Sequence, residues 1–585
     1  MTLRHVPMLA CLGLLLLLPG SDGSYFLNRA DEKSNAAYSG SIPQQEQLSA
    51  EGEASLRGFL NSASLPDLQW PNFANYQNEA AQFYDAFGGA LPWIQNGKPT
   101  PQARATIQLL KRADEKGLRP EDYDGPQWDG RLLRLDGSPV ATESELLKFD
   151  LALTVSAMRY ISDLHVGRVN PRLFHFGLDI DRKRIDLSEF LSQRLVGATN
   201  VGAVLATVEP PFPIYRRTQD ALKKYMEFAR IDNGEPLPGS ERAIKTGDAY
   251  AGMPRLVELL TLLGDLPKIQ AEEGSEGRYQ GNLVEAVRHF QRRHGLEPNG
   301  ILDARTIKIL NIPISRRVLQ LQLAMERMRW LPHQFARPPI VVNIPEFRLY
   351  AVNEEYRTAF TMNVVVGRAY GHQTPVFASE IKSIIFRPYW NVPQSIVNAE
   401  MIPHLRKNPS YLSRNSYEIV DKSGTAVSAE TGNQKILAQL RKGKWKVRQT
   451  PGPANSLGLV KFEFPNQYDV YMHGTPAEEL FSKTRRDFSH GCIRVEDPVA
   501  LAKWVMQAIP QWSEENIRAA MDGNETTEVK LKEPIPVLIL YSTAVVLEGG
   551  EEHFYEDIYG QDGDLQRTLE QGMPYASGAE LPGKH

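Results

Sequence analysis

Cysteine is nearly missing from this chain: its 585 residues contain two, Cys11 and Cys492. Cys11 lies inside an apolar stretch, residues 6–18, which follows Arg4-His5 and precedes Pro19-Gly20-Ser21-Asp22-Gly23. A basic start, a short apolar run and small residues after it describe an export signal over 1–23, with cleavage expected near Gly23. The run is short for a membrane span, so membrane association is expected only through an uncleaved N-terminus. Cys11 precedes most of the run and is badly placed for lipid attachment. One thiol therefore remains, and a lone thiol serves neither a disulfide framework nor a cysteine-rich metal site. In an oxidising compartment it is a hazard unless it is buried and inert, or needed. An excess of positive charge is missing as well. Sixty-six Lys and Arg stand against 70 Asp and Glu, so nothing argues for nucleic acid as a partner.

The length exceeds what one hydrophobic core supports and implies several domains. Residues 24–50 are polar and read as a linker. From 51 to 235 the pattern is helical. Residues 102–115 carry Ile107, Leu110 and Ala113 at helical spacing and stop at Gly117, and residues 143–164 carry a stripe of Leu146, Asp150, Leu153, Ala157, Tyr160 and Leu164. No chemistry is evident there. Asp163, His165 and Arg168 read as a polar corner whose members are each satisfied.

Residues 244–313 form a smaller helical unit. One of its helices runs into Phe290-Gln291-Arg292-Arg293-His294-Gly295-Leu296, then a turn with Gly300, then Thr306 opening the last helix. This resembles the three-helix peptidoglycan-binding domain, with Asn299 where Asp is usual and Asp303 where Gly is usual. Phe290 is expected in the core. A connector helix follows within 314–337, charged on one side and apolar on the other. The texture then changes to short β-rich runs at 340–344, 348–352, 360–366 and 381–386, broken by Pro345, Asn353, Gly367 and Gly371. A strand-rich domain is expected over 338–510. An insertion at 396–446 shows helix-forming and charged residues rather than strand signals, and a lid or cap is the usual role of so long an insertion. Residues 511–585 form a C-terminal extension with strand-like runs at 527–531 and 536–546 and no evident function.

Cys492 sits in Ser489-His490-Gly491-Cys492-Ile493-Arg494, with His473 nineteen residues upstream. Residues 460–464 and 468–473 read as a hairpin, and alternation along its second arm places Tyr471 and His473 on one face. Glu496-Asp497-Pro498 opens a helix. A cysteine on a loop before a packed helix suits a nucleophile. Gly491 lets the backbone approach a substrate, the amides of Gly491 and Cys492 can face a developing oxyanion, and His473 can act as base. Two other readings stay open: zinc held by His473, His490 and Cys492, for which no fourth ligand is evident, and an inert core cysteine. Arg494 matches the geometry of a substrate carboxylate, or pairs with Glu496 or Asp497. Trp390, just before the insertion, is either a wall of the pocket or core packing.

His473, fifteen intervening residues and Ser489-His490-Gly491-Cys492 resemble the signature of the L,D-transpeptidase family, with its YkuD-type catalytic domain. The order of domains is similar to that of the large YcbB-like murein enzymes. Supporting stretches are Arg448-Gln449-Thr450-Pro451-Gly452-Pro453 and Tyr471-Met472-His473-Gly474-Thr475-Pro476, the latter with Gly474 where many relatives have Asp. The resemblance implies a multidomain α+β fold: helical scaffold domain, small peptidoglycan-binding domain, and strand-rich catalytic domain with a capping insertion. It implies a periplasmic enzyme that needs no cofactor or metal and acts on peptidoglycan. Cys492 would form a thioester with a tetrapeptide stem, expelling D-alanine, and pass the acyl group to a second diaminopimelate. His473 would be the base, the Gly474 carbonyl would hold its ring, the Gly491 and Cys492 amides would stabilise the oxyanion, His490 would shape the loop, and Tyr471 would line the site. The same residues would serve a cysteine-dependent L,D-carboxypeptidase with water as acceptor. A catalytically inactive peptidoglycan-binding scaffold is the remaining alternative.

Overall fold

The computed structural model describes residues 46–268, 277–408, 410–427 and 434–575. The expected export signal, most of the expected linker, residues 269–276 and residues beyond 575 lie outside the described residues. Among the described residues no helix is long and apolar enough to cross a membrane.

The helical unit is built around α1 (Glu143–Val166), which Thr142 and Glu145 open with a reciprocal capping box. Its side chains are buried almost all round, against Phe83, Trp93, Ile107, Leu110 and Trp128 among others. A helix surrounded by neighbours can carry a polar group only if that group is bonded. Asp150, in the apolar stripe, accepts from Tyr84 Oη at 2.7 Å and from the Trp93 amide at 2.8 Å. Asp163, His165 and Arg168 do not form a common site. Asp163 accepts from Tyr123 Oη, the His165 ring nitrogens face the carbonyls of Val208 and Lys183, and Arg168 pairs with buried Glu326.

Next comes α2 (Pro213–Ile231), followed by the small helical unit with α3 (Asn282–Arg293) and the connector α4 (Ile314–Arg329). Phe290 lies in the core of the small unit, and Asp303 caps the helix Ala304–Leu310 by accepting from the Thr306 amide at 2.7 Å. α2 and α4 share an apolar cluster that includes Tyr215, Leu222, Leu321 and Met325, with Leu538 and Val546 from the C-terminal region.

The strand-rich domain is a nine-stranded sheet of β1 (Ile340–Asn343), β2 (Arg348–Val352), β3 (Thr358–Gly367), β4 (Phe377–Phe386), β5 (Val460–Glu463), β6 (Met472–His473), β7 (Asp487–Ser489), β8 (Ile493–Val495) and β9 (Thr527–Leu540). Its order is β7-β3-β8-β6-β5-β4-β9-β1-β2, and a further β2–β3 pairing closes the ring into a barrel. Closure removes the open edges of a sheet. The core holds Val342, Leu349, Val364, Ile384, Phe462, Met472 and Ile493.

Two expectations need correction. The sheet does not end at 510. β9 lies in the body of the ring, antiparallel to β4 and parallel to β1, so part of the supposed extension is integral to the barrel. Its ladder shifts register between Lys530 and Ile535, the stretch holding Pro534, where proline offers no N–H to a regular ladder. The insertion also contains strands. Tyr417–Val420 and Trp390–Asn391 both pair antiparallel with Lys446–Gln449. Helices pack on this small sheet around Val397, Leu405, Leu412, Ile419, Leu437, Leu440 and Val447, giving the insertion a hydrophobic cluster of its own.

Candidate active site

The site forms where β6 and β8 run side by side. They pair in parallel, Met472 opposite Ile493 and His473 opposite Arg494, and the Ile493 amide donates to the Tyr471 carbonyl at 3.0 Å. Paired residues of parallel strands share a face and successive residues alternate. Met472 and Ile493, both fully buried, point into the barrel core. Tyr471, His473, Cys492 and Arg494 therefore share the other face. The Tyr471 and His473 ring centroids are 5.7 Å apart.

His473 is buried, and its Nδ1 lies 2.6 Å from the Gly474 carbonyl. A carbonyl only accepts, so Nδ1 carries the proton and Nε2 the lone pair. Burial, followed by the positive charge of Arg494, pulls the His473 pKa down to about 3. Cys492 is half-buried, and burial raises its thiol above the ordinary value, against hydrogen bonds from the Tyr471 amide and hydroxyl that favour the thiolate. The resting pair is thus a neutral thiol beside a neutral imidazole. The thiol faces the Asp469 carbonyl at 3.8 Å, and no hydrogen bond joins it to His473 among the described residues.

Gly491 has φ +117°, a conformation that favours glycine. Its amide is not free, as the oxyanion expectation would have it, but donates to Ser489 Oγ at 3.1 Å, and that hydroxyl donates to the Cys492 carbonyl at 2.6 Å. Arg494 pairs with neither Glu496 nor Asp497. Glu496 accepts from Asn363, Asp497 caps α5 (Pro498–Val505), and the buried Arg494 Nε has no hydrogen-bond partner among the described residues. Burial and then Arg368 lower the Arg494 pKa, against Cys492 and Glu479, which act to raise it.

His490 turns to the cap, its Nε2 2.7 Å from Glu400 Oε1, and stacks edge-on with His372 at 4.7 Å between centroids. Among the described residues no three His, Cys, Asp or Glu side chains are grouped to hold a metal ion. Trp390 belongs to the cap sheet and packs toward Tyr417, while its indole also hydrogen-bonds Tyr471. It joins the cap core to the site, so the two readings of this residue are not exclusive.

Four participants had escaped notice. Asp469, in a left-handed conformation at φ 54°, aims its carbonyl at the thiol. Lys461 lies over the Tyr471 ring at 4.3 Å. Glu400 anchors the cap on the loop before Cys492, and Thr374 donates to the Gly491 carbonyl at 2.7 Å. Asp469 had a local signal, a turn position in Asn466-Gln467-Tyr468-Asp469 where Asp tolerates positive φ. Lys461 stands opposite His473 across the expected hairpin, while Glu400 and Thr374 come from distant segments without a motif.

A thiol, an oriented imidazole and a guanidinium on one face are the parts of an acyl-transfer centre for anionic substrates. Comparison with known proteins narrows this. Residues 337–534 match the L,D-transpeptidase catalytic domain, residues 78–222 the family described as "Scaffold domain", and residues 255–310 the family described as "Putative peptidoglycan binding domain". The chain therefore carries an L,D-transpeptidase catalytic domain in a multidomain fold that joins helical units to a strand-rich one. It is 30% identical over 309 residues to a Haemophilus influenzae protein named "Putative L,D-transpeptidase", a match covering 49% of this chain and 60% of that protein.

Proposed function

We propose that the protein is a periplasmic murein L,D-transpeptidase that makes direct diaminopimelate–diaminopimelate cross-links through a thioester at Cys492. The observation that carries this reading is the parallel β6–β8 pairing, which brings Tyr471, His473, Cys492 and Arg494 to one face. His473 Nε2 takes the thiol proton as sulfur attacks the carbonyl of the diaminopimelate residue in a tetrapeptide stem. The tetrahedral intermediate collapses with cleavage of the C–N bond to the terminal D-alanine, whose amine leaves with that proton. The side-chain amine of a second stem then attacks the thioester, His473 takes its proton, and the restored thiol closes the cycle. Arg494 suits a stem carboxylate, because a guanidinium lowered in pKa by burial, with no ion pair among the described residues, gains from an anion. Tyr471 and Trp390 line the approach, and the small helical unit suits attachment to the polymer. An enzyme of intact murein works outside the cytoplasm, in keeping with the expected export signal.

Purified protein incubated with disaccharide tetrapeptide distinguishes the outcomes. Cross-linked dimers with release of D-alanine are expected, and they should vanish in Cys492→Ala. Trimmed stems alone would instead mark a carboxypeptidase with water as acceptor. Dimers formed by Cys492→Ala would overturn the thioester.

A further inference from the structure

The segment after β9, to which no function could be attached, reaches the nucleophile loop through Thr374. Thr374 is fully buried. Its Oγ1 accepts from the Gly367 amide at 2.9 Å and donates to the Gly491 carbonyl at 2.7 Å. Neither role can reverse, since an amide only donates and a carbonyl only accepts. Tyr559 closes the network. Its hydroxyl donates to the Gly367 carbonyl at 2.5 Å and accepts from the Thr374 amide at 3.3 Å. Tyr559 is held in turn: its amide donates to Tyr541 Oη at 2.9 Å, and Tyr541 donates to Asp557 at 2.6 Å. The turn between Gly367 and Thr374 is wrapped so closely that a Cβ on Gly367 would lie 1.9 Å from the His372 carbonyl oxygen.

The peptide joining Gly491 to Cys492 is trans, so its C=O and N–H point in opposite directions. A carbonyl held inward on buried Thr374 turns the Cys492 N–H the other way, and that N–H donates to no group among the described residues. The neighbouring Gly491 N–H is occupied by Ser489. We propose that Thr374 and Tyr559 are positioning residues that lock the Gly491–Cys492 peptide so that the Cys492 amide serves as oxyanion donor. The inference rests on acyl transfer at Cys492. It gives the C-terminal segment, beyond the residues matched to the catalytic family, a part in that reaction.

The test compares two reactions of the same thiol, followed by intact mass. A carbapenem acylates through a tetrahedral oxyanion; iodoacetamide alkylates without one. Thr374→Val keeps the shape and removes the hydroxyl. It is expected to slow acylation about 10²-fold, at the lower end of what losing an oxyanion donor costs. Alkylation should change less than about threefold, because it needs only the thiolate. Thr374→Ser should restore most of the acylation rate, and Tyr559→Phe should show the same split with a smaller loss. If Thr374→Val does not fold, Tyr559→Phe carries the comparison. Equal losses in both reactions, or no loss of acylation, would overturn the positioning role while leaving acyl transfer intact. A wild-type protein that takes no carbapenem adduct at Cys492 would overturn the acyl-transfer reading, and this inference with it.

Discussion

His473 illustrates how much a single side chain owes to its surroundings. With its pKa held at about 3, chiefly by burial and then by Arg494, the imidazole is neutral throughout the physiological range. The pH profile of Cys492 acylation should therefore show no inflection near 6.5, where an ordinary histidine protonates. It should instead rise with pH as the raised thiol ionises. Arg494→Gln removes the positive charge that disfavours the imidazolium. The His473 pKa should move up from about 3 toward its ordinary value, by part of the gap only because burial is the larger cause. NMR titration of the ring checks this, and an unmoved or lowered value would contradict it. His473 and Cys492 were legible in the sequence because strand alternation and a short loop are local properties, whereas Gly474 entered only through the family resemblance. Thr374 and Glu400 were not legible, since each meets residues 489–492 from a separate part of the chain, and neither was Tyr559, which reaches Gly367 and Thr374; none carries a motif.

Among the elements, the cap separates most cleanly from its surroundings. Its cluster around Leu405 and Leu440 is distinct from the barrel core, and both leucines are fully buried. Leu440→Ala is expected to destabilise the cap by about 2–5 kcal/mol, the usual cost of a leucine-sized cavity. Hydrogen exchange should quicken across 394–407 and 434–449 and stay unchanged in β1, β4 and β9. Equal quickening in the barrel would show that the two cores unfold as one. The insertion was recognisable by its length, but its sheet was not. Tyr417–Val420 and Lys446–Gln449 are four residues each, the second with Lys446 and Arg448 in alternation, and they become strands because they meet each other and Trp390. β9 shows the complementary limit. Its β-branched residues were readable as strand, but nothing local placed it between β4 and β1, a pairing made across more than a hundred residues.

Across the whole molecule, buried ionisable groups pull stability in opposite directions with pH. In the barrel, His473 stays neutral down to about pH 3, whereas in the unfolded chain it takes a proton near the ordinary histidine value of about 6.5. The unfolded state then binds more protons, so this contribution is present above that value and is lost as pH falls toward 3. His333, also drawn down to about 3 by burial, acts in the same direction where α4 meets the helical unit. In α1 the sign reverses. Burial raises Asp150 to about 7 and Asp163 to about 8, so the folded state holds protons that the unfolded chain has released above its carboxylate value of about 4. Their contribution is present at low pH and lost as pH rises through 7 and 8. Hydrogen exchange at pH 5 and pH 8, corrected for intrinsic rates, should therefore show β6 better protected at pH 8 and the centre of α1 better protected at pH 5. A uniform change in both would mean that the units unfold only together, and a reversed pattern would contradict the protonation states assigned to Asp150 and His473. The α1 side of this balance is independent of the thiol, so Cys492→Ala should leave it unchanged.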